Sequence, residues 1–304
     1  MCTIAFVNCV VYRVLLLTAA PMLLGAELTI DHATVAGTDL KKMQASLAAV
    51  GIRSEYGGPH SNHATEMAQT SFPDGSYLEL IAIQPNADAK AVSAHYWSKW
   101  MRANGGPCAW AVRSQDIATE VKRLQTAGIG VNGAQRSGRE RPDGTRLDWE
   151  AAPVGAGPNG SFFPFLIHDF TPREKRAFPT GAPVTKDFSG IARVVIAVHD
   201  LKASAARYQQ AYGLAAPVME TDAVFGARLA IFSGTPAVLA EPLDAKSWLS
   251  ARLEQIGEGP CAFVLGGHDH GVYKPVTKSR WMDAEISWFD AAALGWHLGF
   301  MSGR

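Results

Sequence analysis

Charge of one sign accumulates nowhere in this chain. Its 28 Lys and Arg residues equal its 28 Asp and Glu residues, with no long run of either. That balance argues against a basic face for nucleic acid and a polybasic grip on an anionic membrane. Cysteine is scarce: Cys2, Cys9, Cys108 and Cys261 are the full set, and neither a CxxC pair nor a Cys/His zinc spacing occurs. Gly-rich phosphate loops and a G-x-S-x-G nucleophile turn are missing too. The apolar run from Val14 to Leu24 falls short of the roughly 20 residues that a membrane-spanning helix needs. It follows Arg13 and ends in Leu-Gly-Ala, which suits a secretory leader over residues 1–26 and an exported product with no stable membrane span. A misassigned start or an uncleaved anchor are the alternatives.

What remains after these exclusions is an ordinary globular composition, 47% hydrophobic and 18% charged over 304 residues. Its informative feature is internal repetition. "GPCAWAV" (Gly106 to Val112) returns as "GPCAFVL" (Gly259 to Leu265). "VAGTDLKKMQASLAAVGI" (Val35 to Ile52) has relatives in "VRSQDIATEVKRLQTAGI" (Val112 to Ile129) and "IAVHDLKASAARYQQAYGL" (Ile196 to Leu214). Each reads as a strand, an Asp that caps a helix N-terminus, an amphipathic helix and a terminating Gly. Alternating strands follow, joined by turns such as Pro73-Asp74-Gly75 and the "RPDG" hairpin, where the Asp-Gly pairs favour positive φ.

The unit is therefore βαβββ, used four times, the last time degenerately because no clear helix follows Cys261. A stretch rich in Pro, Gly and charge, Thr171 to Ser189, marks a linker. The predicted fold is α+β: four βαβββ modules paired into two tandem incomplete barrels, over residues 27–172 and 190–304, with a linker at 173–189. Cys108 and Cys261 lie on equivalent strands of separate repeats and are expected to be buried free thiols. Trp97, Trp100 and Trp248 are expected to pack on helices. His268 and His270, in "GGHDHG", are expected in a glycine-flanked loop.

These pieces together resemble the vicinal oxygen chelate superfamily, and within it the glyoxalase-like domain proteins. The resemblance is carried by "IDHATVAGTDL", "GGPH", "GSYLELI", "RERPDG…LDWE" and "PFLI" in the first half, and by "ISWFD" and "LGWHLGF" in the second. It implies a divalent metal in the cavity of a paired module, held by His or Glu from the first and last strands of each module. The first module matches with His32 and Glu79. In the second module, aligning the capping Asp residues puts Ala109 or Trp110 opposite His32, and Pro164 falls opposite Glu79. The second half offers Arg193, and Val238 or Leu239. None of these is a usual metal ligand.

His32 and Glu79 each sit in an otherwise apolar strand, and a buried carboxylate seeks a cation or a hydrogen bond. They are either metal ligands or a hydrogen-bonded pair. His60 is the first candidate for a third ligand, followed by His63 and His168. Imidazole and carboxylate suit Zn, Mn, Fe or Ni. Glu79 is the candidate proton carrier and Arg141, beside Asp143, the candidate anion clamp. The resemblance implies an enzyme acting on a small oxygenated substrate by bidentate chelation, of lyase, isomerase or dioxygenase type. A metal-free small-molecule binding protein is the alternative. A small molecule is the expected partner, with self-association as a homodimer.

Overall fold

A computed structural model describes residues 27–267 and 272–302. The expected leader and the "HDHG" stretch, His268 to Gly271, lie outside the described residues. The first half runs β1 (Ile30–Ala36), α1 (Leu40–Ala49), β2 (Glu55–Pro59), β3 (Thr65–Ser71), β4 (Tyr77–Ile83), α2 (Ala89–Ala94), α3 (Ser98–Ala103), β5 (Gly106–Arg113), α4 (Ile117–Thr126), β6 (Gln135–Glu140), β7 (Arg146–Ala152) and β8 (Phe165–Asp169). After α5 (Arg173–Ala177) come β9 (Phe188–Ala197), α6 (Leu201–Tyr212), β10 (Val218–Asp222), β11 (Ala227–Ile231), β12 (Ala237–Pro242), α7 (Trp248–Ile256), β13 (Gly259–Gly267), β14 (Thr277–Trp281), β15 (Ala284–Trp288), α8 (Ala291–Leu294) and β16 (His297–Ser302).

The capping signals work as the sequence predicts. Asp39, Asp116 and Asp200 each accept a backbone N–H from the first turn of the following helix, satisfying an otherwise orphan donor. Gly213 ends α6 in the left-handed conformation. Among the described residues, no helix stands between β13 and β14, so the fourth module is indeed reduced.

Each half folds into one eight-stranded sheet. The strand orders are β2-β3-β4-β1-β5-β8-β7-β6 and β10-β11-β12-β9-β13-β16-β15-β14. Adding eight to every label of the first gives the second, so the topology repeats at the level of the whole half. Both sheets curl until their edge strands meet. In the first, Ser61 Oγ donates to Gly138 O (2.6 Å) and Arg139 donates to Gly57 O, tying the β2 side to β6. In the second, Met282 N donates to Glu220 Oε1 (2.9 Å), between the β14 and β10 edges. These are the two incomplete barrels.

The convex faces of both sheets and the helices between them share one apolar core, which includes Leu47, Trp110, Phe163, Tyr208 and Leu298. Tyr208 Oη crosses the boundary to donate to Phe162 O (2.5 Å). The stretch 173–189, read from sequence as linker, carries α5, whose Arg176 and Ala177 are buried against the first sheet, and runs into the start of β9. Cys108 and Cys261 are buried free thiols. Among the described residues, no helix is long and apolar enough to cross a membrane.

Candidate functional site

The first barrel encloses a cavity of about 250 Å³. One end is polar. There β1 contributes His32, β4 contributes Glu79, and the turn after β2 contributes His60. The parallel pairing of β1 with β4 sets Thr34 opposite Glu79 and His32 opposite Tyr77, so alternation puts all four side chains on the concave face. Thr34 Oγ1 donates to Glu79 Oε2 at 3.0 Å. The His32 and His60 Nε2 atoms stand 3.8 and 3.7 Å from the two Glu79 oxygens, too far for hydrogen bonds.

The other nitrogen of each imidazole is engaged elsewhere. His32 Nδ1 lies 2.6 Å from Asp31 Oδ1, and a carboxylate accepts only, so Nδ1 carries the proton. His60 Nδ1 lies 2.8 Å from Thr65 Oγ1, which also accepts from Asn62 Nδ2 (3.2 Å) and can turn its own hydrogen either to His60 Nδ1 or to Asn62 Oδ1 (3.4 Å). With that hydrogen on Asn62, both Nε2 atoms are bare lone pairs facing a carboxylate. Burial, opposed by Glu79 and reinforced by Arg139 and the neighbouring imidazoles, pushes the His60 pKa down to about 4.

Beneath His32 lies a fixed charge network. Arg176 bridges Asp31 (2.7 Å) and Asp169 (2.5 Å), and Arg173 also reaches Asp31. Burial alone would raise the Asp31 pKa, but the two guanidiniums and His32 overcome it and hold the carboxyl well below its usual range. The His32 ring stacks on Tyr77 at 5.0 Å and meets the edge of Phe165. Packing and hydrogen bonding thus leave His32 one orientation.

The opposite wall is apolar, and the strand ladders explain why. Ala111 pairs with Phe165 as Thr34 pairs with Glu79. Phe165, rather than the Pro164 expected from the sequence, therefore stands where the second module would place its carboxylate. Ala109 takes the place of His32, while Trp110 points into the shared core. Trp97 and Trp149 extend this wall.

The remaining candidates lie elsewhere. Arg141 does not line the cavity; it donates to Pro179 O and to Lys175 O (3.2 Å) and pairs with the exposed Asp143. His63 occupies a positive-φ turn. His168 Nδ1 sits 2.9 Å from Ser114 O, outside the cavity lining. Sequence reasoning missed several lining residues, among them Arg136, Arg139, Arg176 and His95. His95 Nδ1 accepts from Trp97 N (3.2 Å), and burial, opposed by Glu79, lowers its pKa.

Residues 30–212 match the family model described as "Glyoxalase-like domain". The chain belongs to that family. Its fold is that of the vicinal oxygen chelate superfamily. No curated protein matches. Among solved structures, a hypothetical protein from Staphylococcus aureus superposes with a TM-score of 0.61 at 14% identity, covering 90% of this chain and 99% of its own. A mutant 4-hydroxymandelate synthase from Streptomyces coelicolor gives 0.60 at 13%, covering 92% and 93%. Methylmalonyl-CoA epimerase from Mycobacterium tuberculosis gives 0.34 at 21%, covering 40% and 91%. The first two likenesses extend over both halves and show the fold. The glyoxalase-like match runs through β1 to α6 and so contains the whole cavity.

Proposed function

We propose that the first barrel is the working site of a divalent-metal-dependent enzyme acting on a small oxygenated substrate. His32, His60 and Glu79 would hold the ion. One observation carries this reading: the Nε2 atoms of two imidazoles and a carboxylate, each steered by a second hydrogen bond, converge at one end of a cavity. Three acceptors facing one another repel unless a cation or proton lies between them, and this donor set is chemically suited to Zn, Mn, Fe or Ni. The chemistry supplied by such an ion is Lewis-acid polarisation of a substrate oxygen.

The chain's own residues do the rest. Asp31 and Thr65 hold the two imidazoles in the tautomers that present Nε2. Tyr77, Phe165 and Trp97 exclude water and orient the substrate's apolar part. His95, whose Nδ1 accepts from the backbone, presents Nε2–H as a hydrogen-bond donor to a substrate oxygen. Glu79, where not engaged with the ion, is the group to take one. Lyase, isomerase and dioxygenase chemistry all suit such a site.

A second reading, a non-catalytic small-molecule binding protein, has its own support. Among the described residues, no group of three or more His, Cys, Asp or Glu side chains is arranged to hold a metal ion as they stand, and the second module supplies only Ala109 and Phe165. Elemental analysis separates the two. Wild type and the His32→Ala/Glu79→Ala double variant are incubated with Zn, Mn, Fe, Co or Ni and desalted. The enzyme reading expects near-stoichiometric metal in the wild type, lost in the double variant. Metal-free wild type would sink it.

A further inference from the structure

We infer that the cavity selects substrates carrying a carboxylate, and that Arg139 is the residue that recognises it. This deepens the proposed function and rests on its choice of the cavity as the ligand site, though not on the metal. Arg139 lies on β6, the edge strand of the first sheet, and its side chain turns inward, with a relative exposure of only 3%. A buried guanidinium normally has a carboxylate partner. Arg176, in the same cavity wall, has two in Asp31 and Asp169. Arg139 has none within ion-pair distance among the described residues. Its one hydrogen-bond acceptor there is the backbone carbonyl of Gly57, which carries no net charge. None of its nitrogens is both sealed from solvent and unpartnered, so the donors that Gly57 does not use are open to the cavity.

A guanidinium offers five N–H donors in a planar fork that matches a carboxylate. Burial makes the charge of Arg139 harder to sustain, and the distant Tyr77 and Glu79 only partly compensate. A substrate anion would supply the missing charge in a site of low dielectric. The rest of the lining limits what that anion is attached to. Phe165, Trp97, Trp149 and Met67 offer aromatic and aliphatic surface, and about 250 Å³ admits a body of roughly one ring with a short chain. The ligand class is a small monocarboxylic acid with an aromatic or branched apolar tail.

The alternative role for Arg139 is only to staple the barrel seam, beside the Ser61 to Gly138 hydrogen bond. The two roles separate by experiment. The probes are phenylpyruvate and its uncharged counterpart phenylacetone, with binding followed by quenching of tryptophan fluorescence and by calorimetry. Wild type is expected to bind the carboxylate at least tenfold more tightly than the ketone. Arg139→Met should abolish that preference while leaving ketone affinity within about twofold, and Arg139→Lys should keep part of it. Ser61→Ala weakens the seam without removing the charge and should retain the full preference. Thermal unfolding of each variant identifies any that fails to fold, in which case the Lys and Ser61 variants decide. Equal binding of both probes by the wild type, an undiminished preference in Arg139→Met, or its loss in Ser61→Ala would each overturn the inference. Both probes are titrated into EDTA-treated, metal-free protein, so that chelation of a bound ion by the keto acid contributes nothing to the preference. The metal reading therefore stands or falls on elemental analysis, and the carboxylate reading on Arg139.

Discussion

The two barrels share a strand order and differ in what fills them. Ladder registers allow a position-by-position comparison. Ser137 and Ala151, which line the cavity of the first barrel, correspond to Trp281 and Ile286 in the second. Phe165 corresponds to Gly299. Thr34, Glu79 and Ala111 correspond to Val195, Val238 and Val264. The second barrel is thereby packed shut: Phe225, Trp281, Ile286 and Trp288 form one buried cluster with those valines. The indole nitrogens are satisfied, Trp281 by Asp222 (2.7 Å) and Trp288 by Ser279 (2.9 Å). Gly299 is required there, because a Cβ would come within 2.8 Å of the Trp288 ring. One repeated architecture has thus been used once to enclose a cavity and once to build a core. The lesson is that fold repetition transmits position, while a handful of inward-facing residues decides between void and filling.

The comparison can be broken at several points. Trp288→Ala should be the most damaging change, because it empties the second core; a loss of about 3–5 kcal/mol is expected in urea unfolding. Phe165→Ala, beside an existing void, should cost clearly less, and equal losses would remove the distinction between the barrels. Next comes Arg176→Ala. It leaves the buried Asp31 and the half-buried Asp169 with Arg173 as their remaining cation, for a loss of about 3 kcal/mol, whereas Arg228→Ala, in the exposed pair with Glu241 of the second half, should change stability little.

A smaller effect follows from His297, stacked on Trp248 in the second half. Burial pushes its pKa down to about 4 from the ordinary 6.5. Between those values the unfolded chain binds a proton that the folded chain does not. Stability therefore falls as pH drops through that window, by at most about 3 kcal/mol, and levels off below it. His297→Phe should keep the ring contact and lessen the slope of that part of a melting-temperature profile, the remainder coming from His60. Smallest in stability is Ser137→Trp, which copies the second barrel into the first. It should leave the melting temperature nearly unchanged while abolishing phenylpyruvate binding; retained binding would show that filling the barrel is not what separates the halves.

How much of this was readable from sequence varied with the physics involved. His32 and Glu79 were legible because strand alternation fixes their face and the repeat fixes their strand. The helix caps were legible because they depend on a few adjacent residues. Arg139 was not, although it lies only two residues before Arg141. The signal was present in the hairpin itself: Gly144 N donates to Arg141 O within the turn, so Arg141 belongs to the turn. Arg139 is the residue paired with the buried Leu147. Phe165 was misassigned by one position because the loop from Val154 to Pro164 has no counterpart in the first module and breaks the alignment. His95 lies in the insertion carrying α2 and α3, which the repeat does not predict. The fate of the second barrel depended on which tryptophans point inward, and that is a matter of ladder register rather than composition.

The central claim is that the first barrel holds the ligand and the second does not. The most direct measurement is anomalous scattering from crystals of the protein soaked in zinc. The account predicts a single strong interior peak, within coordinating distance of His32 Nε2, His60 Nε2 and the Glu79 carboxylate, and none among the tryptophans of the second barrel. An empty first barrel at saturating zinc, or an ion inside the second, would contradict it.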